Sequence, residues 1–136
     1  MAIRFTNERA FNKRLQLFAI KTHIDFAQVV KKISIDIFAG IIRRTPVDTG
    51  IARASWLIGV STEPSEQKRS ATRNPLADIS KLEQLRANPF TVVNIINRLP
   101  YIVRLEKGWS KQAPRGMVAL AIAEEKAKMA GIVRLV

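Results

Sequence analysis

The sequence predicts an α+β fold, a small antiparallel sheet packed against a long N-terminal helix and a C-terminal helix. Three observations carry that expectation. Apolar residues recur at helical spacing from about Thr22 to Arg44. Two later stretches, Arg53 to Ser61 and Phe90 to Asn97, alternate with period two. An alanine-rich helical pattern runs from about Met117 to Ala130. The chain has 136 residues, 47% of them hydrophobic, enough for one domain with its own core. That domain divides into a helical part (1–44), a turn and strand (45–61), an exposed loop (62–75), and a final part (76–136) with helix, strand, loop and C-terminal helix.

The elements follow in order. Asn7 to about Ala19 reads as a helix with Phe11, Leu15 and Phe18 on one side. In the long helix, Phe26, Val30, Ile33, Ile37 and Ile41 form a stripe that Val29 and Phe38 widen. Ile24, Ile35 and Ile42 lie almost opposite, and only Asp25, Gln28, Lys32 and Asp36 form a polar strip. So wide an apolar arc suits a helix buried on more than one side, within its own core or against a neighbouring subunit. Pro46 ends it, because the residue before proline is pushed out of the α region. Thr45, Pro46, Val47, Asp48, Thr49 and Gly50 form a turn in which Asp48 can bond the following backbone and Gly50 can take positive φ.

The first strand follows, with Ala54, Trp56, Ile58 and Val60 on one face. Thr62 to Pro75 is a polar loop of the length that is often functional. Ala77 to Ala87 is a short helix with Ile79, Leu82 and Leu85 on one side. After the second strand, Pro100 opens a helix over Tyr101 to Lys107 and Gly108 closes it. Trp109 to Gly116 is a loop. In the last helix Glu124 and Lys128 are an i,i+4 pair, Gly131 is a natural stop, and Ile132 to Val136 extends beyond it. Further strands are expected from the loop 62–75 or the C-terminal tail.

Composition removes several classes of function. There is no cysteine, so thiol catalysis, disulfides and cysteine metal sites are excluded. The single histidine, His23, supports no triad. No apolar run approaches the ~18 residues of a membrane span. The opening MAIRFTNERAF turns polar at once and is not expected to be a signal peptide. Asp25 and Asp36 would sit about 16 Å apart on one helix, too far to share a proton or metal. Glu124 and Glu125 point in different directions. Ser110 and Lys111 are merely adjacent, and no phosphate-binding glycine loop exists. No enzyme activity and no cofactor are expected. The formal charge of +12 favours polyanionic neighbours: nucleic acid, an anionic membrane or an acidic protein.

Two loops carry the least generic wording. One is TPVDTG at 45–50. The other, LPYIVRLEKGWSKQAPRGM, gathers Tyr101, Glu106, Gly108, Trp109, Ser110, Lys111, Gln112, Pro114 and Arg115 around chain breakers. An aromatic among charged residues in a loop suits a contact surface, and equally a tryptophan tucked over the core edge.

TPVDTG followed by ARASW, then N-x-LPYI, then LE-x-GWSKQAP-x-GM, resembles the neck or tail-completion family of long-tailed bacteriophages. That group includes the lambda-type minor tail protein Z. The resemblance covers about Asp25 to Val136 and is most specific at 45–56 and 97–117. Ile51 replaces a basic residue common in such proteins, Lys107 an aromatic, and Arg115 a small residue. What the resemblance implies is a structural virion protein, assembled in the host cytoplasm and located in the tail or neck. It would form a homo-oligomeric ring, expected to be a hexamer, between the head connector and the tail terminator or tail tube, joining head to tail around the DNA channel. Contact with passing DNA would be sequence-neutral phosphate attraction. Lys68, Arg69, Arg73, Lys111 and Arg115, basic residues in loops, are the candidates for contact with DNA or a partner ring. The competing reading is a basic DNA-binding or packaging accessory protein.

Overall fold

The computed structural model describes residues 4–5, 13, 17, 26–64, 71–86 and 91–134. Its elements are β1 (Arg4–Phe5), α1 (Phe26–Arg44), α2 (Ile51–Ala54), β2 (Leu57–Val60), a 3₁₀ helix (Pro75–Arg86), β3 (Val93–Ile96), α3 (Ile102–Glu106) and α4 (Val118–Arg134). The fold is α+β, as expected. β3 is central, pairing antiparallel with β2 on one side and β1 on the other. Ile58 opposes Ile95 and Leu57 opposes Ile96, so the two apolar faces stay in register.

α1 ends at Arg44, as Pro46 requires. The predicted stripe is buried at Val30, Ile33, Ile37 and Ile41, with Phe38 beside it. Ile42 on the opposite side is buried too, and Ile35 packs partly against the core. α4 and the 3₁₀ helix both pack on α1 and account for this wide arc. The apolar surface that seemed spare for a neighbouring subunit is therefore largely consumed within the chain. Ser34, buried on α1, satisfies its hydroxyl by donating to the Val30 carbonyl at 2.8 Å.

Several boundaries differ from the sequence reading. The strand expected from Arg53 starts only at Leu57, because Ile51–Ala54 closes a helical turn: Ala54 N–H donates to Gly50 O at 3.0 Å. Ser55 Oγ donates to Ile51 O at 2.6 Å and holds that turn. Among the described residues the third strand comes from the N-terminal part rather than from the loop or the tail. Its two paired residues are too few to show an alternation. Gly131 lies inside α4, which continues to Arg134, so the tail is helical that far. Of the helix expected over Asn7–Ala19, only Lys13 and Leu17 are described, and both are helical. The remainder lies outside the described residues.

The short helix expected at Ala77–Ala87 is a 3₁₀ helix twelve residues long, far beyond the usual three or four. Its apolar residues explain the form. Ile79, Leu82 and Leu85 recur every three residues, so at 3.0 residues per turn they align in one row. Leu82 and Leu85 are fully buried. The same period aligns Asp78 with Lys81 along the free edge of β2. Ile58 N–H donates to Asp78 Oδ2 at 3.4 Å, and Lys81 Nζ donates to Ile58 O at 3.2 Å. The helix thereby occupies the hydrogen-bonding groups that an open strand edge would offer to another chain.

Candidate functional site

The two loops of specific wording meet in space. Val47 N–H donates to Gln112 Oε1 at 2.9 Å, and Gln112 Nε2 donates back to Val47 O at 3.2 Å. One side chain, 65 residues away in sequence, thus closes both backbone groups of the TPVDTG turn. The turn is anchored from below by Thr45, whose buried hydroxyl donates to Ile41 O at 2.7 Å and accepts the Trp56 indole N–H at 2.8 Å. Trp56 is 0% exposed. Gly50 has φ +86°, as a turn of this wording anticipates. The side-chain bond to the following backbone comes from Thr49, which accepts Ile51 N–H at 3.4 Å. Asp48 is exposed and takes no hydrogen bond among the described residues.

The second loop is pinned at both ends. Glu106, at the end of α3, accepts the N–H groups of Met117 and Val118 at 2.9 Å and of Ala119 at 3.1 Å. These groups have no intrahelical carbonyl, since the first α4 bond runs from Ala121 N–H to Met117 O. Glu106 is thus a helix cap rather than the contact residue expected. Gly108 has φ +87° because the chain doubles back there, with the Pro114 carbonyl where a side chain would stand. Ser110 Oγ accepts Gln112 N–H at 3.2 Å and so shapes the turn of this loop. Asn97, the start of the N-x-LPYI wording, is buried. It donates to Ala52 O at 3.0 Å and accepts Leu99 N–H at 3.1 Å.

Trp109 is 71% exposed, with the Arg104 guanidinium 5.1 Å from its ring centroid. It is not core. Tyr101, Val47 and Leu120 are exposed as well; Val47 sits on the bridged turn and Leu120 beside the same loops.

Between the loops lies a cleft of about 360 Å³, lined by Arg43, Arg44, Thr45, Pro46, Arg53, Gln112, Ala113, Pro114, Arg115, Gly116 and Leu120. Four arginines stand in its walls. Arg53 Nη2 donates to the carbonyls of Arg43 (3.3 Å) and Thr45 (3.1 Å) and so caps the end of α1. Arg44 pairs with Glu124 on α4, and this guanidinium holds the Glu124 carboxyl below its ordinary pKa. Sequence reading singled out Arg115 but missed Arg43, Arg44 and Arg53. Their signal was the run of arginines flanking TPVDTG.

Arg73 is corrected. Its guanidinium pairs with Asp78 at 2.7 Å and donates to the carbonyls of Ala54 and Trp56 at 2.9 Å. It ties the loop to the turn before β2 and does not face outward. Lys111 and Arg115 are exposed; Lys68 and Arg69 lie outside the described residues. On the far side of α4, Glu125 is buried beside Asp36. Burial and the neighbouring carboxylate push its pKa up. Among the described residues no group of three His, Cys, Asp or Glu is placed to hold a metal ion. Nor is any helix there long and apolar enough to cross a membrane.

No family model matches the chain, and no curated protein or solved structure matches it either.

Proposed function

We propose that this chain is a structural, non-enzymatic component of a tailed-phage neck or tail-completion ring. In that reading it joins head to tail around the DNA channel, between the head connector and the tail terminator or tail tube. The observation that supports it best is the Gln112–Val47 bridge. The bridge fuses the two most specific wordings into one surface, which carries Trp109, Val47 and Leu120 exposed beside a cluster of arginines. Exposed aromatic and apolar side chains among arginines are the composition of protein–protein contact centres. The 3₁₀ helix covers the β2 edge against strand addition there.

The expected assembly is a closed hexameric ring, with DNA passing through by sequence-neutral phosphate attraction. Reconstruction of the particle carrying this chain tests the reading. Six copies around the channel at the head–tail junction are expected. A single copy, or none at that junction, refutes it. The competing reading, a DNA-packaging accessory protein, requires tight DNA binding by the free chain with a log–log salt slope of about −0.9 per phosphate neutralised.

A further inference from the structure

We infer that the arginine-lined cleft between the two loops holds an acidic, partly apolar segment of a neighbouring protein. The inference relies on the ring reading only for where that neighbour is found; the chemistry of the cleft stands by itself.

Among the described residues the cleft carries positive charge that is only partly neutralised. Glu124 is the carboxylate that serves its walls, bound to Arg44 and, at 3.9 Å, to Arg43. Arg115 is exposed and has no partner among the described residues. Arg53 spends Nη2 on two backbone carbonyls, while its Nε is buried without an acceptor. The Arg53 guanidinium adds its charge to the field in the cleft, while its buried Nε is itself closed to a ligand.

A second copy of this chain is poorly suited to supply that carboxylate. Among the described residues Asp36, Glu63, Asp78, Glu83, Glu124 and Glu125 lie in ion pairs. Glu106 caps α4. Asp48 alone is uncommitted, and it sits in the turn that forms the cleft's own rim. The described part of a second copy therefore offers no free carboxylate for the cleft, and we assign the acidic group to a different protein.

Guanidinium groups accept carboxylate and phosphate alike. The remaining walls decide between them. Pro46, Ala113, Pro114 and Leu120 are apolar, and Val47 and Trp109 stand exposed on the adjoining loops. A peptide can set apolar side chains against these while its carboxylates meet the arginines. A sugar-phosphate backbone has little apolar surface to place there.

The test is fluorescence anisotropy with the full chain and four labelled probes. These are a short glutamate- and leucine-rich peptide, its glutamine-for-glutamate counterpart, its serine-for-leucine counterpart, and duplex DNA. The variant is Arg43→Gln with Arg115→Gln, both exposed side chains whose replacement removes charge, adds no repulsion toward Glu124 and spares the cap at Arg53. The glutamate–leucine peptide is expected to bind best. The double variant should weaken it about tenfold or more, with an unchanged unfolding midpoint. Equal binding of the glutamine or serine counterpart overturns the inference. So does an unaffected double variant. Tighter binding of duplex DNA, lost in the double variant, assigns the cleft to phosphate instead. Particle position, which tests the ring reading, does not depend on any of these results.

Discussion

Replacing Glu106 by alanine should destabilise the protein far more than its position near a solvent-facing loop suggests. The carboxylate meets three N–H groups at the start of α4. Ala119 is exposed, so its N–H returns to water when the carboxylate is removed. Met117 and Val118 are buried, and theirs are left unmet, at about 1–3 kcal/mol each. Loss of a negative charge at the helix N-terminus adds about 0.3–1 kcal/mol. The total is about 2–7 kcal/mol, or roughly 10 °C or more in melting temperature for a chain of this size. Glu106→Gln separates geometry from charge. One oxygen, Oε2, serves both Met117 and Val118, so an amide oxygen placed there keeps both bonds. The amide nitrogen then faces the Ala119 N–H, donor against donor. The glutamine variant should lose about 1–2 kcal/mol. Urea unfolding followed by emission of the buried Trp56 measures both. A loss under about 0.5 kcal/mol for alanine, or equal losses for the two variants, shows that this cap does not hold α4.

The other expectations concern the two loops and the helix pair. Gly108→Ala should cost more stability than Gly50→Ala: both have positive φ, but a Cβ at Gly108 strikes the Pro114 carbonyl, whereas at Gly50 it meets Ala71 at an ordinary 3.6 Å. Thermal melts giving the reverse order refute the loop geometry; the Gly50 cost itself should be about 1–2 kcal/mol. Trp109→Ala should change stability by less than about 1 kcal/mol, since only its stacking on Arg104 is lost, and should abolish head–tail joining in a complementation assay. An unfolded variant, or normal joining, contradicts the contact role. Glu125→Gln should stabilise the protein at neutral pH and lose that advantage in acid. The folded carboxyl has a raised pKa, so its contribution is fully present below the ordinary value of 4.5 and is lost as pH rises through the folded value. Glu83 and Glu124 run the other way, present above 4.5 and lost as pH falls through their lowered values. Urea midpoints of parent and variant at pH 7.5 and pH 4 decide it, and an equal difference at both refutes the pairing with Asp36.

Sequence by itself determined the elements whose physics is local. Periodicity along α1 needs only the repeat of its own apolar residues, and Pro46 stops that helix by steric conflict with the residue before it. The alternation at Val93–Ile96, the positive φ at Gly50 and the closure at Gly108 were legible for the same reason. The three-residue spacing of Ile79, Leu82 and Leu85 made a helix legible at Ala77–Ala87, but it fits one face of either helix type, and the 3₁₀ form was not legible from it. Tertiary structure decided whatever depends on residues distant in sequence. The pairing of Arg4–Phe5 with β3 has no signature in two residues. Whether the second face of α1 met a neighbour or its own chain depended on where α4 and the 3₁₀ helix came to lie. Glu106 and Arg73 looked like surface charges in loops, and only folding brought the open N–H groups of α4 and the carbonyls of Ala54 and Trp56 within their reach. The cleft follows the same rule. Its arginines flank one turn in sequence, but a concave site exists because Gln112 fastens the second loop over that turn, and a hydrogen bond spanning 65 residues cannot be read from either end alone.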